Sequence, residues 1–134
     1  MSTMDFPISR EDVLRGRQGA PGWYLLTIRT LTKGPGKNDP TSNTITVDMV
    51  VKDTLLADKA IVGAPVKFYL SDKAPGMAIP FIESVTGKRI PENGATPNIM
   101  LSQGKDVRAY LVWDLQFKTW KCQDFMPANG QPAV

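Results

Sequence analysis

Histidine is absent from the 134 residues of this chain. Its absence removes the commonest general base, the commonest zinc ligand and every site built on a Ser-His-Asp triad. Carboxylates and lysines remain, but they show no metal-ligand spacing, no phosphate-binding glycine loop and no nucleophile elbow. The sequence therefore predicts a protein that is not an enzyme and that uses no metal ion or cofactor.

Cysteine and long apolar runs are also scarce. The single cysteine, Cys122, cannot form an internal disulfide, and its strand-like context favours a small buried hydrophobic side chain. Charges are spread through residues 1–20, unlike a signal peptide, and no stretch approaches the roughly 18 apolar residues of a membrane span. We therefore expect a soluble cytoplasmic protein (in the host cytoplasm if it is viral) with no membrane partner.

Turn-forming residues, in contrast, are abundant. The chain has 11 glycines and 11 prolines, and 42% of its residues are hydrophobic. The length suffices for one domain with a buried core, and the glycine and proline content favours β-structure with loops over long helices. The net charge of +3 permits a polyanionic partner without requiring one.

Alternation of apolar and polar residues predicts the first three strands. Residues 22–32 are apolar on both faces, and we favour the face of Tyr24 as buried because this choice leaves Arg29 in water. Residues 44–53 are rich in β-branched side chains, and residues 64–71 form the third strand. The buried residues predicted in these strands are Tyr24, Leu26, Ile28, Ile45, Val47, Met49, Val51, Val66, Phe68 and Leu70.

Residues 104–127 predict a β-hairpin that contains the fourth and fifth strands, with a turn near residues 116–119. In the second arm, Trp120 shares its parity with Cys122, which favours burial of both side chains. The predicted buried face of the first arm comprises Val107, Ala109, Leu111, Trp113, Leu115 and Phe117.

A short helix is predicted between the third and fourth strands. Phe81 and Val85 recur at helical spacing and indicate a packed face. Pro80 is tolerated only in the first turn of a helix, so we expect the helix to begin near residues 78–79. Gly87 fits the C-terminal stop.

The domain organisation follows from these elements. Residues 22–127 form the domain, and residues 1–21 form a flexible polar lead-in. Within the lead-in, Ser9 fits the N-cap of a short helix that runs to about Arg15. Residues 128–134 are predicted to be a disordered tail.

The order β-β-β-α-β-β matches the OB-fold, so the predicted fold class is mainly β: a five-stranded Greek-key barrel with one short helix. This fold binds oligonucleotides on its second and third strands and with the loops that join strands 1–2 and 4–5. In this chain those loops are residues 33–43 and the turn near residues 116–119. Residues 33–43 are either a surface connector or a loop that closes over a bound strand.

Basic and aromatic side chains share the outward parity of two strands. Lys67 precedes Tyr69 in the third strand, and Arg108 precedes Tyr110 in the fourth. Such a surface suits single-stranded nucleic acid, because cations neutralise phosphates and rings stack on bases. For each residue the alternative is an ordinary solvated side chain. The predicted DNA-binding residues are Trp23, Tyr69, Tyr110 and Trp120 for stacking and Arg29, Lys33, Lys37, Lys52, Lys67, Arg108, Lys118 and Lys121 for phosphates.

Several short segments resemble a group of small phage-encoded single-stranded DNA-binding proteins. The segments are GWYLLTIRT, VKD, PF-x-ESVTG, G-K-D-V-x-A-Y and a final strand that ends in D-F-x-P. The resemblance spans residues 22–127. It implies an OB-fold and sequence-independent binding of single-stranded DNA in phage replication or recombination.

Candidate partners follow from this resemblance. Replication or recombination proteins are candidate partners, although the chain ends in GQPAV without the acidic tail that many such proteins use to recruit enzymes. The sequence leaves self-association and the choice between DNA and RNA open. The alternative function is an OB-like structural or assembly module of a virion or protein complex, favoured by the modest charge and by the apolar residues Leu25, Leu31 and Val112 on outward parities.

Overall fold

The computed structural model describes residues 4–10, 13, 19–35, 43–71, 75–95 and 97–134. The elements are β1 (Gly22–Pro35), β2 (Asn43–Thr54), β3 (Pro65–Ser71), helix α1 (Pro75–Thr86), a 3-10 helix (Ile99–Ser102), β4 (Asp106–Asp114) and β5 (Thr119–Pro127). The predicted mainly β architecture, with three strands, one short helix and a final hairpin, is confirmed. No helix among the described residues has the length and apolar character to cross a bilayer.

The strands form one antiparallel sheet in the order β3-β2-β1-β4-β5. The central strand, β1, pairs with β2 along its length and with β4 over its first half. Within the described residues the outer strands β3 and β5 form no ladder with each other, so the sheet is open. The two edges nevertheless approach, because the rings of Phe68 and Phe125 lie 4.7 Å apart between centroids.

The core follows the pleat of the strands, in which alternate side chains point to one face. The favoured parity of β1 is confirmed, since Tyr24, Leu26 and Ile28 are completely buried. Other predicted residues buried in the core are Val47, Met49, Val51, Val66, Phe68, Leu70, Val107, Ala109 and Leu111, while Ile45 and Trp113 pack against it partly buried.

The end of β4 corrects the prediction for two residues. Leu115 and Phe117 are 75% and 70% exposed, not buried. The strand ends at Asp114, whose Oδ1 accepts the backbone N–H groups of Gln116 at 2.9 Å and Phe117 at 3.2 Å. These bonds replace the strand ladder and turn the chain. Lys118, with a φ of 50°, completes the reversal.

Helix α1 begins at Pro75, earlier than predicted, and continues through Pro80. Pro80 lacks the N–H that would bond to the carbonyl of Gly76. Gly76 is itself exposed, so the missing bond lies on a part of the helix that water can reach. Phe81 is completely buried. Gly87 ends the helix as predicted, with a φ of 71°.

The two ends of the chain are described in part. The N–H of Val13 donates to the carbonyl of Ser9 at 3.1 Å, a single helical contact at the predicted N-cap. The remainder of the predicted helix, to Arg15, lies outside the described residues. In the tail, for which composition predicts disorder, Val134 donates to the carbonyl of Gly87 at 3.1 Å and accepts from the N–H of Arg89 at 2.9 Å.

Candidate nucleic-acid interface

A cleft of about 890 Å³ lies between strands β3 and β5, where the sheet is not closed. Strand β3 forms one wall, the β4–β5 hairpin forms the other, and the first turn of α1 closes one side. The described residues that line the cleft are Lys67, Phe68, Tyr69, Gly76, Met77, Asp114, Phe117, Thr119, Lys121 and Cys122.

The wall formed by β3 presents a cation and an aromatic ring. Phe68 points into the core, so the pleat directs Lys67 and Tyr69 outward, as predicted. The Tyr69 side chain is 60% exposed. The Nζ of Lys67 lies 3.9 Å from a carboxylate oxygen of Asp48. Both of these groups are solvated, so the contact is weak and leaves the ammonium group accessible to a phosphate.

The wall formed by the hairpin presents a second ring and a second cation. Phe117 lies at the tip of the turn, and the hydrogen bond from its N–H to Asp114 fixes its backbone. Lys121 follows on β5 with an exposed side chain. Because buried Cys122 and Phe68 also line the cleft, its floor is apolar.

Chemically, the cleft offers two exposed aromatic rings and two lysines around an apolar floor. Rings stack on flat heterocycles, and lysines attract phosphates. Asp114 is the one carboxylate among the described lining residues. The described residues include no cluster of three or more carboxylate or thiol groups that could hold a metal ion.

Of the predicted DNA-binding residues, the cleft brings together Lys67, Tyr69 and Lys121. Lys118 lies beside them, on the turn between Phe117 and Thr119, and is exposed. These four residues come from two chain segments that are far apart in sequence.

A second predicted group lies on the outer surface of β1 and β4, away from the cleft. Trp23 is paired with Tyr110 across the two strands, and their rings meet edge to face with centroids 5.6 Å apart. The Nε of Arg108 donates to the carbonyl of Ala128 at 2.9 Å. This bond ties the Arg108 guanidinium to the segment after β5.

Lys52 lies in an ion pair on the outer surface of the sheet. Its Nζ is 2.8 Å from Asp106 Oδ2, and Asp106 Oδ1 accepts from the hydroxyl of Thr27 at 2.7 Å. Burial alone would raise the pKa of Asp106, but the hydrogen bonds from Lys52 and Thr27 outweigh it, and the pKa is lowered. Lys52 therefore links β2 to β4 and does not line the cleft.

Trp120 is a core residue, which corrects its assignment to base stacking. It is 3% exposed and lies against Trp113 and Tyr24, with ring centroids 5.4 and 6.4 Å away. The cause is its parity on β5, which it shares with buried Cys122. Its ring is not available to a base.

The remaining predicted cations lie along β1 and beyond it. Arg29 and Lys33 are exposed. Lys33 lies beside a small hollow of about 200 Å³ near the 3-10 helix, away from the cleft between β3 and β5. Lys37 lies outside the described residues.

The sequence pattern missed Phe117 as an exposed ring of the cleft, and it also did not predict the lining residues Met77, Asp114 and Thr119. Phe117 continues the apolar alternation of β4, so the pattern assigns it to the core. The signal that could have identified Phe117 is Asp114, because aspartate commonly accepts backbone N–H groups two and three residues later and starts a turn.

Compared with known proteins, the chain matches no protein-family model and no curated protein sequence at a significant level of similarity.

Proposed function

We propose that this protein is a non-catalytic, sequence-independent single-stranded DNA-binding protein built on an OB-type barrel. The strand order supports the fold assignment. β1 pairs with both β2 and β4, the helix connects β3 to the last hairpin, and the edges of β3 and β5 face each other across the Phe68–Phe125 contact. This arrangement is consistent with a Greek-key barrel that is open between β3 and β5.

The observation that carries the proposal is the pair of exposed rings in a cleft that also holds two lysines. Tyr69 and Phe117 are 60% and 70% exposed, although each is attached to well-defined backbone. Stacking of a base on such a ring contributes about 1–3 kcal/mol, whatever the base. The cleft volume of about 890 Å³ lies within the range of roughly 300–1,000 Å³ that is usual for ligand sites, so it suits a few bases and not a long duplex.

Single strands fit this site better than duplexes because their base faces are free. In a duplex those faces are stacked on one another, and only the phosphates would reach Lys67 and Lys121. Stacking and phosphate contacts distinguish no sequence, so binding is expected to be sequence-independent. The resemblance to phage proteins supports a role in phage DNA replication or recombination, in which single strands are exposed.

A titration of fluorescein-labelled oligo-dT tests the proposal, with a duplex of the same length as the matched control. We expect tighter binding to oligo-dT than to the duplex. The logarithm of affinity should fall linearly with the logarithm of salt concentration, with a slope of about −0.7 for each phosphate neutralised.

The opposite results are equally clear. Absence of binding at low salt would contradict the proposal, and so would equal affinity for the duplex. If the protein failed to bind but formed defined oligomers in light scattering, the structural or assembly module would be favoured instead.

A further inference from the structure

The tip of the β4–β5 hairpin brings two polar side chains to the cleft. Asp114 ends β4, Thr119 begins β5, and the two residues are directly paired across the hairpin. Directly opposed residues of an antiparallel pair have Cβ atoms about 4.5–5.5 Å apart, on the same face. Both residues line the cleft. A carboxylate and a hydroxyl therefore lie side by side on the wall that also carries Phe117.

The Asp114 carboxylate uses only one of its two oxygens in the turn. Oδ1 accepts the backbone N–H groups of both Gln116 and Phe117. Within the described residues, Oδ2 accepts no hydrogen bond and forms no ion pair. An ionised carboxylate is an acceptor only. Oδ2 is therefore available to an N–H group of a ligand in the cleft.

Thr119 adds a hydroxyl near the ring of Tyr69. The residue is exposed, and a hydroxyl can donate a hydrogen bond as well as accept one. Lys67, Tyr69 and Thr119 also border a second hollow, of about 270 Å³, next to the cleft. The hairpin tip therefore lies beside the Tyr69 ring, on which a base would stack.

An acceptor beside a donor complements the pairing edge of some bases and not of others. Cytosine, adenine and guanine carry an amino group on this edge, and carboxylates accept from such groups. In cytosine and adenine the amino group lies next to a ring nitrogen that accepts. Thymine and uracil have no amino group, and their O4 carbonyl would face the negative charge of the carboxylate.

We propose that Asp114, together with Thr119, makes one base position of the cleft selective for bases that carry an amino group, against thymine and uracil. The amino N–H donates to Asp114 Oδ2, and the ring nitrogen of cytosine or adenine accepts from the Thr119 hydroxyl. The selection acts only at the position beside the hairpin tip, while stacking and phosphate contacts elsewhere distinguish no sequence. This inference rests on the proposed function, because it places a base in the same cleft.

Parallel titrations with oligo-dC and oligo-dU of equal length test the selection in neutral buffer. The two bases have nearly the same size and differ on their pairing edge, so stacking and phosphate contacts are matched. We expect the native protein to bind oligo-dC at least about fivefold more tightly, which is the lower end of the discrimination that a good base contact provides. Equal affinity for the two oligonucleotides would overturn the inference and leave single-stranded DNA binding intact. Absence of binding to either one would contradict the proposed function and the inference with it.

Substitution Asp114→Asn tests the assignment to this side chain. Asparagine keeps an oxygen for the two N–H groups of the turn and presents its NH₂ group in place of Oδ2. That donor suits the O4 of uracil and not the amino group of cytosine, so the preference for oligo-dC should be lost or reversed. Thr119→Val, which removes the hydroxyl and leaves the turn bonds intact, should reduce the preference.

The matched control is Asp124→Asn, because Asp124 is exposed on β5 and is not among the described residues that line the cleft. This variant should keep the native ratio of oligo-dC to oligo-dU affinity. The ratio compares two ligands of equal charge, so a change in the protein's net charge cancels. A native ratio in both Asp114→Asn and Thr119→Val would overturn the assignment, and so would an equal change of the ratio in Asp124→Asn.

Discussion

At the scale of single residues, the main feature of the cleft is a pair of solvent-exposed aromatic rings, those of Tyr69 and Phe117. Tyr69 stands on a paired strand, and Phe117 on a turn that Asp114 caps. Neither ring contributes much buried area to the core, because each is more than half exposed. Both rings are therefore accessible from solvent in the cleft.

The sequence predicted the outward direction of Tyr69 correctly and the burial of Phe117 incorrectly, and both results have the same physical reason. Within a strand the pleat alternates side chains strictly, so the burial of Phe68 determines the outward direction of Tyr69. Beyond Asp114, hydrogen bonds from the backbone to the Asp114 side chain replace the strand ladder. The alternation of apolar and polar residues then no longer predicts which side chains are buried. Arg108 shows another limit, because its acceptor, the Ala128 carbonyl, follows it by 20 residues and is brought close only by the fold.

Cys122 gives a prediction at this scale. Burial raises the pKa of its thiol to about 12, so the group stays protonated and unreactive at pH 8. We expect Ellman's reagent to label the folded protein at least about tenfold more slowly than the protein in guanidinium. Because the folded pKa lies above the ordinary value of 9.0, the thiol's contribution to stability is full at neutral pH and is lost as the pH rises from about 9 to about 12. Equal labelling rates in the two states would show that Cys122 is accessible from the cleft.

At the scale of elements, the β4–β5 hairpin connects the fold to the cleft. Its turn, residues 115–118, places Phe117 beside the β3 edge. Asp114 has two opposing effects there. Its carboxylate orders the turn through two backbone N–H groups, and its negative charge would repel a phosphate that entered the same cleft.

Substitution Asp114→Asn separates these effects. Asparagine keeps an oxygen that can accept the two N–H groups, and it removes the charge. We expect oligo-dT to bind about two- to fivefold more tightly at low salt, since one charge at a solvated site is worth roughly 1 kcal/mol or less, with a nearly unchanged melting temperature.

The matched control is Asp124→Asn. Asp124 lies on β5, is exposed, accepts the N–H of Phe125 at 2.8 Å and does not line the cleft. An equal gain in affinity for both variants would mean that the effect is one of net charge. Weaker binding by Asp114→Asn would contradict the position of the cleft.

At the scale of the whole molecule, the open sheet is the feature that creates the site. Three rings, those of Phe68, Phe81 and Phe125, lie 4.7–5.5 Å apart between centroids and fill the space between β3, α1 and β5. They hold the two edges near each other through side chains, while within the described residues the strands form no ladder there. The cleft is the solvent-accessible space next to these rings, between β3 and the β4–β5 hairpin.

The order of elements and most of the core could be predicted from the sequence, because periodicity and turn residues are local signals. The cleft could be predicted only through the OB-fold expectation, which places the third strand and the turn between the fourth and fifth strands at the binding surface. The cleft combines Lys67 and Tyr69 with residues near position 120, and nothing local specifies that the edges of β3 and β5 meet. For the same reason the sequence pattern predicts DNA contacts for Trp23 and Tyr110 as well as for Tyr69, although β5 lies between the surface of Trp23 and Tyr110 and the cleft.

The most direct test of the central claim is oligo-dT binding by the double variant Tyr69→Ala/Phe117→Ala, measured beside Leu115→Ala. Leu115 is 75% exposed on the same turn and does not line the cleft, so it controls for the loss of an exposed apolar side chain. Each ring should contribute about 1–3 kcal/mol, so each single substitution should weaken binding by about 5- to 150-fold, and the double variant should lose more. Leu115→Ala should bind normally, and all the variants should keep melting temperatures close to that of the native protein. Native affinity in the double variant, or an equal loss in Leu115→Ala, would show that single-stranded DNA does not bind in this cleft.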